Sequence, residues 1–344
     1  MLRPETGRRA IGALPLRLGG SLPEAELAYI SYGQLNERGD NAVLLTHGLT
    51  SGHGMLDGSG SAEGSWTALL QPGRALDIRH HFVVCSNVLG SALGSTGPAS
   101  PRPGSAQPWG ADFPALTLSD MVNAQKRLLE QLGVRRLALV AGPSYGGMQA
   151  LQWAADHPDW VGAAASLVSG IAWPAGMGSA ELLQRLAADP QWNAGRYAPG
   201  AMRASMHQLR LETLHTYGME RVLQDRPAAA NGPSVAQQLD AAAARWAAVF
   251  DPHALLCLQR AGERFDLRER LQAITCPVLF ATASTDRVFP PDAQVHAQLR
   301  AAWGERLTWR VIDTPYGHLA SGLECAQWEP DLRRLLQPPE HTRG

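Results

Sequence analysis

The run Leu137-Ala138-Leu139-Val140-Ala141 reads as a buried strand, and it leads straight into Gly142-Pro143-Ser144-Tyr145-Gly146 and then into a helical stretch. A strand that reverses sharply into a helix around Gly-x-Ser-x-Gly belongs at the carboxyl edge of a parallel sheet, which narrows the possible folds more than any other segment. Gly142 and Gly146 let the chain turn tightly and lift the Ser144 hydroxyl above that edge. The helix that follows points its free N–H groups and positive dipole end back at the serine. A serine held this way is suited to acyl transfer through a serine ester. Ser144 is the only match to this pattern in the chain.

The rest of the chain supplies a sheet for this turn. Ala25 to Gly33, Asn41 to Thr46, His81 to Ser86, Val161 to Ser169, Pro277 to Thr282 and Thr308 to Asp313 read as further strands. Asn41 to Thr46 is almost continuously apolar, as a strand covered on both faces should be. Leu118 to Leu132 has helical spacing and stops at Gly133, and the helix after Ser144 runs to about His157 before Pro158. The C-terminal run Gly322 to Leu336 reads as a helix with a kink at Pro330. Strands alternating with helices predict an α/β fold, a mainly parallel sheet with helices on both faces.

Between Trp173 and Leu271 the pattern becomes helical, over Ser179 to Ala188, Ala201 to Gln224, and Ser234 to Arg260 with a break at Pro252. The stretch is too long for an ordinary crossover. The expected organisation is a core of residues 1–171, an inserted helical cap of 172–270, and a core completed by 271–344. The Gly-, Ser- and Pro-rich segment from Asn87 to Trp109 reads as a long functional loop.

Composition excludes several classes. Lys+Arg 30 against Asp+Glu 31 leaves no basic stripe for nucleic acid and no polybasic helix for a membrane surface. No apolar run is long enough to span a bilayer, and Met1 to Leu27 lacks the apolar centre of a signal peptide. Cys85, Cys257, Cys276 and Cys325 are scattered without metal spacing, so no metal site is expected. Reduced thiols point to a cytoplasmic protein.

A serine nucleophile requires a base and an acid, which in this strand–turn–helix architecture follow it in the order acid, then histidine. Among the 11 histidines, His318 in Tyr316-Gly317-His318 is best placed, just after the last strand. His157 and His296 fall on helices and are expected at the surface, and His47 precedes the serine. Asp286 follows a strand at the carboxyl edge and is the expected acid; Asp313, which ends the last strand, is the alternative. The expected oxyanion donors are the N–H groups of Tyr145 and Leu49, with Thr50 beside the latter.

These residues, and many around them, resemble one family, the homoserine O-acetyltransferase-like branch of the α/β-hydrolases. The likeness runs through Tyr32 to Asn36, Asn41 to Thr50, Pro72 to Asp77, Phe82 to Gly90, Gly94 to Pro98, Asp112 to Pro114, Asp120 to Val122 and Gly146 to Ala150. It implies the α/β-hydrolase fold, a triad of Ser144, Asp286 and His318, and a ping-pong acyl-enzyme mechanism. It also implies acetyl-CoA or another acyl-CoA as co-substrate with no bound cofactor, and a homodimer formed through the cap helices. One departure stands out: the family's triad histidine is usually followed by an aspartate that helps hold the amino-acid acceptor, and here Leu319 and Ala320 follow His318. Arg203, Arg210 and Tyr217 are candidates for binding a substrate carboxylate; the alternative for each is a solvated helix face. The expected activity is acyl transfer to a small hydroxyl acceptor such as homoserine. The alternatives are ester hydrolysis, with water as acceptor, and a non-catalytic receptor on the same fold.

Overall fold

The computed structural model describes residues 4–57, 65–226 and 232–337. The ends of the first and last core segments, and residues 227–231 of the expected cap, lie outside the described residues. Eight strands form one sheet in the order β1-β2-β4-β3-β5-β6-β7-β8. They are β1 (Glu5–Pro15), β2 (Ser21–Tyr32), β3 (Ala42–Leu45), β4 (Phe82–Ser86), β5 (Leu137–Pro143), β6 (Ala164–Leu167), β7 (Val278–Ala283) and β8 (Leu307–Ile312). From β4 to β8 every pairing is parallel, while β1–β2 and β2–β4 are antiparallel. This is the α/β-hydrolase architecture.

Side chains alternate between the two faces of the sheet. Leu44, Val84 and Val140 pack on one side with α1 (Leu118–Gln131) and α2 (Tyr145–Asp156). Val43, Val83 and Leu139 pack on the other with Trp66 and Trp328. Both faces are therefore dry, as parallel strands require.

Between β6 and β7 the chain makes a helical excursion: α3 (Ser179–Ala187), α4 (Arg203–Tyr217), α5 (Met219–Gln224), α6 (Val235–Ala247) and α7 (Pro252–Glu263). Its two ends are tied together at the sheet. Trp173 N–H donates to Phe265 O at 3.2 Å, and Leu267 N–H donates to Ile171 O at 2.8 Å. After β7 come α8 (Ala293–Trp303), β8, α9 (Ala320–Leu323) and α10 (Cys325–Leu336).

One strand goes unannounced and two local expectations need correction. β1 is a strand that the sequence pattern does not announce. Ala201 to Gln224 is not one helix: Gly218 adopts φ 87° and ends α4. The C-terminal run breaks at Glu324, and Pro330 lies inside α10.

Candidate active site

Ser144 occupies the turn between β5 and α2 with φ 55° and ψ −122°, a conformation that L residues seldom adopt. Neighbouring chain holds it there. A Cβ on Gly142 would lie 2.3 Å from Thr46 O, and one on Gly146 would lie 2.0 Å from the same atom. Only glycine at both positions lets the turn pass over the end of β3. Thr46 Oγ1 donates to Gly146 O at 2.7 Å, and Ser144 N–H donates to Leu167 O at 2.9 Å. On the other side Val168 also takes a positive φ of 44° and ends β6. That turn brings Ser169 Oγ to donate to Ser144 O at 2.7 Å.

The expected acid and base meet. Asp286 follows β7 and His318 follows β8, and His318 Nδ1 lies 2.9 Å from Asp286 Oδ2 with both side chains buried. Val288 N–H at 2.8 Å and Phe289 N–H at 3.3 Å donate to Asp286 Oδ1. Burial pushes the Asp286 carboxyl up. The His318 ring, its hydrogen bond and the two backbone N–H groups outweigh burial and hold the carboxyl below its ordinary value. His318 Nε2 is buried and has no hydrogen-bond partner among the described residues. Tyr217 and Phe289 pack on the His318 ring, with centroids 4.5 and 5.9 Å away. Both also line the pocket at Ser144; His318 itself is not among the residues that line it. Asp313, the alternative acid, is exposed and faces Ser284 and Gln327 instead.

The loop after β3 is fixed by His47, which is fully buried. Val88 N–H donates to His47 Nε2 at 2.9 Å, so the neutral ring carries its proton on Nδ1. That Nδ1–H donates to Gly48 O at 2.8 Å. In a trans peptide the C=O and N–H point opposite ways, so fixing Gly48 O turns the Leu49 N–H in the other direction. Gln149 of α2 joins this loop to the elbow. Its Nε2 lies 3.2 Å from His47 O and 3.4 Å from Tyr145 O. Gln125 Nε2 donates to Gln149 Oε1 at 2.8 Å, and Trp153 Nε1 donates to Gln125 Oε1 at 2.7 Å. This buried chain was not anticipated from sequence, because glutamines on a helix carry no spacing signal.

The pocket at Ser144 is small and apolar. It is lined by Leu49, Tyr145, Met148, Trp173, Pro174, Met177, Tyr217, Val288 and Phe289, with about 10 Å³ free. Leu49, Met177, Tyr217 and Val288 also border a larger outer cavity of about 320 Å³. Thr50, Trp246 and Gln259 line that cavity, with Glu181 and an Arg185–Glu212 ion pair at 2.7 Å on its wall.

The substrate candidates separate. Tyr217 lines both spaces. Thr50 is buried at the outer cavity, where its O accepts from Trp246 Nε1 at 2.9 Å. Arg210 is only 2% exposed; its Nη1 donates to Thr50 Oγ1 at 3.0 Å and its guanidinium lies 5.3 Å from the Trp246 ring centre. Arg210 therefore braces the wall of the outer cavity. Arg203 is a correction: it is exposed at the first turn of α4 against Gly200 and lines neither space. His157 and His296 are half-buried rather than at the surface, the first bonded to Asn123 and the second stacked on Trp309. No cluster of metal-ligating side chains occurs among the described residues, and none of their helices is long and apolar enough to cross a membrane.

Known proteins are similar to this chain in sequence and in fold. The family model described as alpha/beta hydrolase fold matches residues 41–322. A homoserine O-acetyltransferase from Chloroherpeton thalassium is 37% identical over 296 residues, covering 82% of this chain and 76% of that one. The crystal structure of homoserine O-acetyltransferase from Bacillus anthracis superposes with a TM-score of 0.83 at 20% identity, over 98% of this chain and 99% of that one. The crystal structure of esterase E22 superposes with a TM-score of 0.80 at 25% identity, over 97% of this chain and all (100%) of that one.

Proposed function

The chain belongs to the homoserine O-acetyltransferase family of the α/β-hydrolase fold, a family of acyltransferases, and from that premise we propose a ping-pong O-acyltransferase centred on Ser144. The acyl donor is an acyl-CoA, with acetyl as the acyl group. Ser144 Oγ attacks the thioester carbonyl while His318 Nε2 takes the hydroxyl proton. Asp286 accepts the Nδ1–H and stabilises the imidazolium. The N–H groups of Leu49 and Tyr145 hold the oxyanion, each lowering the barrier by roughly 3 kcal/mol. The C–S bond breaks and His318 returns the proton to the departing thiolate. In the second half-reaction His318 deprotonates a small hydroxyl acceptor as its oxygen attacks the acetyl carbonyl; the bond to Ser144 Oγ breaks and His318 returns the proton to Oγ.

The observation that carries this reading is the buried 2.9 Å Asp286–His318 pair, whose imidazole is packed by Tyr217 and Phe289, two residues that line the pocket at Ser144.

Hydrolysis is the second reading, and one observation favours it. Leu319, where the family usually carries an aspartate, is 1% exposed and packs with Leu214, Tyr217 and Leu239 of the helical excursion. No carboxylate lines the inner pocket among the described residues. An ammonium group held beside Ser144 has no carboxylate partner there, which is unfavourable; Glu181 and Glu212 lie on the wall of the outer cavity instead.

CoA release from acetyl-CoA, measured with and without L-homoserine beside p-nitrophenyl acetate hydrolysis, separates the two. Homoserine-dependent release supports the transferase. Ester hydrolysis that ignores CoA and homoserine supports the hydrolase.

A further inference from the structure

We propose that Trp173 is the specificity-determining wall of the acyl pocket and limits the group carried on Ser144 to about two carbons; this rests on the acyl-enzyme reading above. A carbonyl at Ser144 has two substituents to accommodate, the acyl tail and the leaving group. The leaving group and the acceptor need the 320 Å³ outer cavity, which is the larger of the two spaces. The tail is left with the inner pocket. Its free volume of about 10 Å³ matches one water-sized group, hence a methyl and not a propyl chain.

Trp173 is the largest side chain that lines the inner pocket without also lining the outer cavity. It is fixed from several directions. Its Nε1 donates to Met177 O at 2.7 Å. Gln259 of α7 donates to the same oxygen at 2.8 Å, which ties the 173–177 segment to that helix. The indole packs against Gly262: a Cβ there would come within 2.2 Å of Trp173 Cζ3. Glycine at this helical position therefore creates the slot that the ring fills. Tyr145 meets the indole edge-on at 6.2 Å, and its hydroxyl is anchored by Leu258 O at 3.0 Å, also on α7. A wall held on two anchors from one helix does not yield to a longer chain by a small side-chain rotation.

The test is the chain-length profile of p-nitrophenyl acetate, butyrate and hexanoate, in which acylation of Ser144 releases p-nitrophenol and water then frees the acid. For the wild type, kcat/KM should fall by roughly 100-fold from acetate to butyrate. Trp173→Ala should narrow that ratio at least about 30-fold, and Trp173→Phe should fall between the two. Turnover of butyrate and hexanoate by the wild type within about 3-fold of acetate would overturn the proposal without any variant. So would a folded Trp173→Ala or Trp173→Phe that keeps the wild-type profile. A fluorophosphonate distinguishes this failure from failure of the functional reading. Ser144 labelled with a flat profile defeats only the wall; Ser144 unlabelled with no ester turned over defeats both.

Discussion

His318 Nδ1 and Asp286 Oδ2 face each other at 2.9 Å with both side chains buried, and Asp286 Oδ1 is already engaged by Val288 and Phe289 N–H. The carboxylate thus has one oxygen to hold its own loop and one to set the imidazole tautomer. In Asp286→Asn the amide nitrogen faces Nδ1, and the ring must move its proton to Nε2, where it can no longer accept from a serine. The expected loss in kcat is about 10⁴. Because the Asp286 carboxyl is held below its ordinary value of 3.8, its contribution to stability is present above that pH and is lost as the pH falls through the lower folded value. The urea-measured stability gap between wild type and Asp286→Asn should therefore shrink on acidification below pH 3.8.

His47 makes no use of its ring for proton transfer in this account; it orients the Gly48–Leu49 peptide. His47→Ala should reduce the rate of ester acylation by about 100-fold, as removal of an oxyanion donor does. It should also destabilise the fold by about 2 kcal/mol, because Val88 N–H loses its partner in the interior. A folded variant with wild-type acylation would show that Gly48 is pinned without the imidazole.

Much of the site was legible because its chemistry sits at strand ends, where apolar runs stop abruptly. β5 announces Ser144, β7 announces Asp286, and β8 announces His318. β1 was not legible because it is mostly exposed and carries Arg8, Arg9 and glycines. Its order comes from hairpin pairing with β2 across the turn at Leu16 to Gly20, and not from an apolar alternation of its own. Gly218 was hidden for a related reason. A lone glycine in a periodic run reads as helix interior, yet here the backbone of Tyr316 packs beside it and the chain turns. That turn places Tyr217 on the His318 ring. Arg203 and Arg210 were indistinguishable as sequence, since only the partner surfaces of α4 decide which of them is buried.

The elbow's tolerance for side chains should be nil at Gly146. A methyl there meets the backbone oxygen of Thr46 at 2.0 Å, so β3 and β5 must shift apart. Gly146→Ala is expected to cost about 3 kcal/mol in urea unfolding, well beyond an ordinary helical Gly→Ala change.

Leu319 gives a test of how firmly the cluster around Tyr217 is packed. Leu319→Asp places a carboxylate in the cluster of Leu214, Tyr217 and Leu239. Removing the leucine and burying an unpaired polar group should destabilise the protein by about 3 kcal/mol. The urea midpoint reads this directly. An unchanged midpoint would mean that the cluster opens readily to solvent.

The central claim is that the acyl group passes through Ser144. Rapid mixing with p-nitrophenyl acetate, acid quenching and intact-mass analysis with peptide mapping tests it most directly. The wild type should gain one acetyl group on the peptide that contains Ser144, and Ser144→Ala should gain none while its turnover drops by about 10⁶. Turnover of Ser144→Ala at near the wild-type rate, or acetyl found on another residue, would contradict the account.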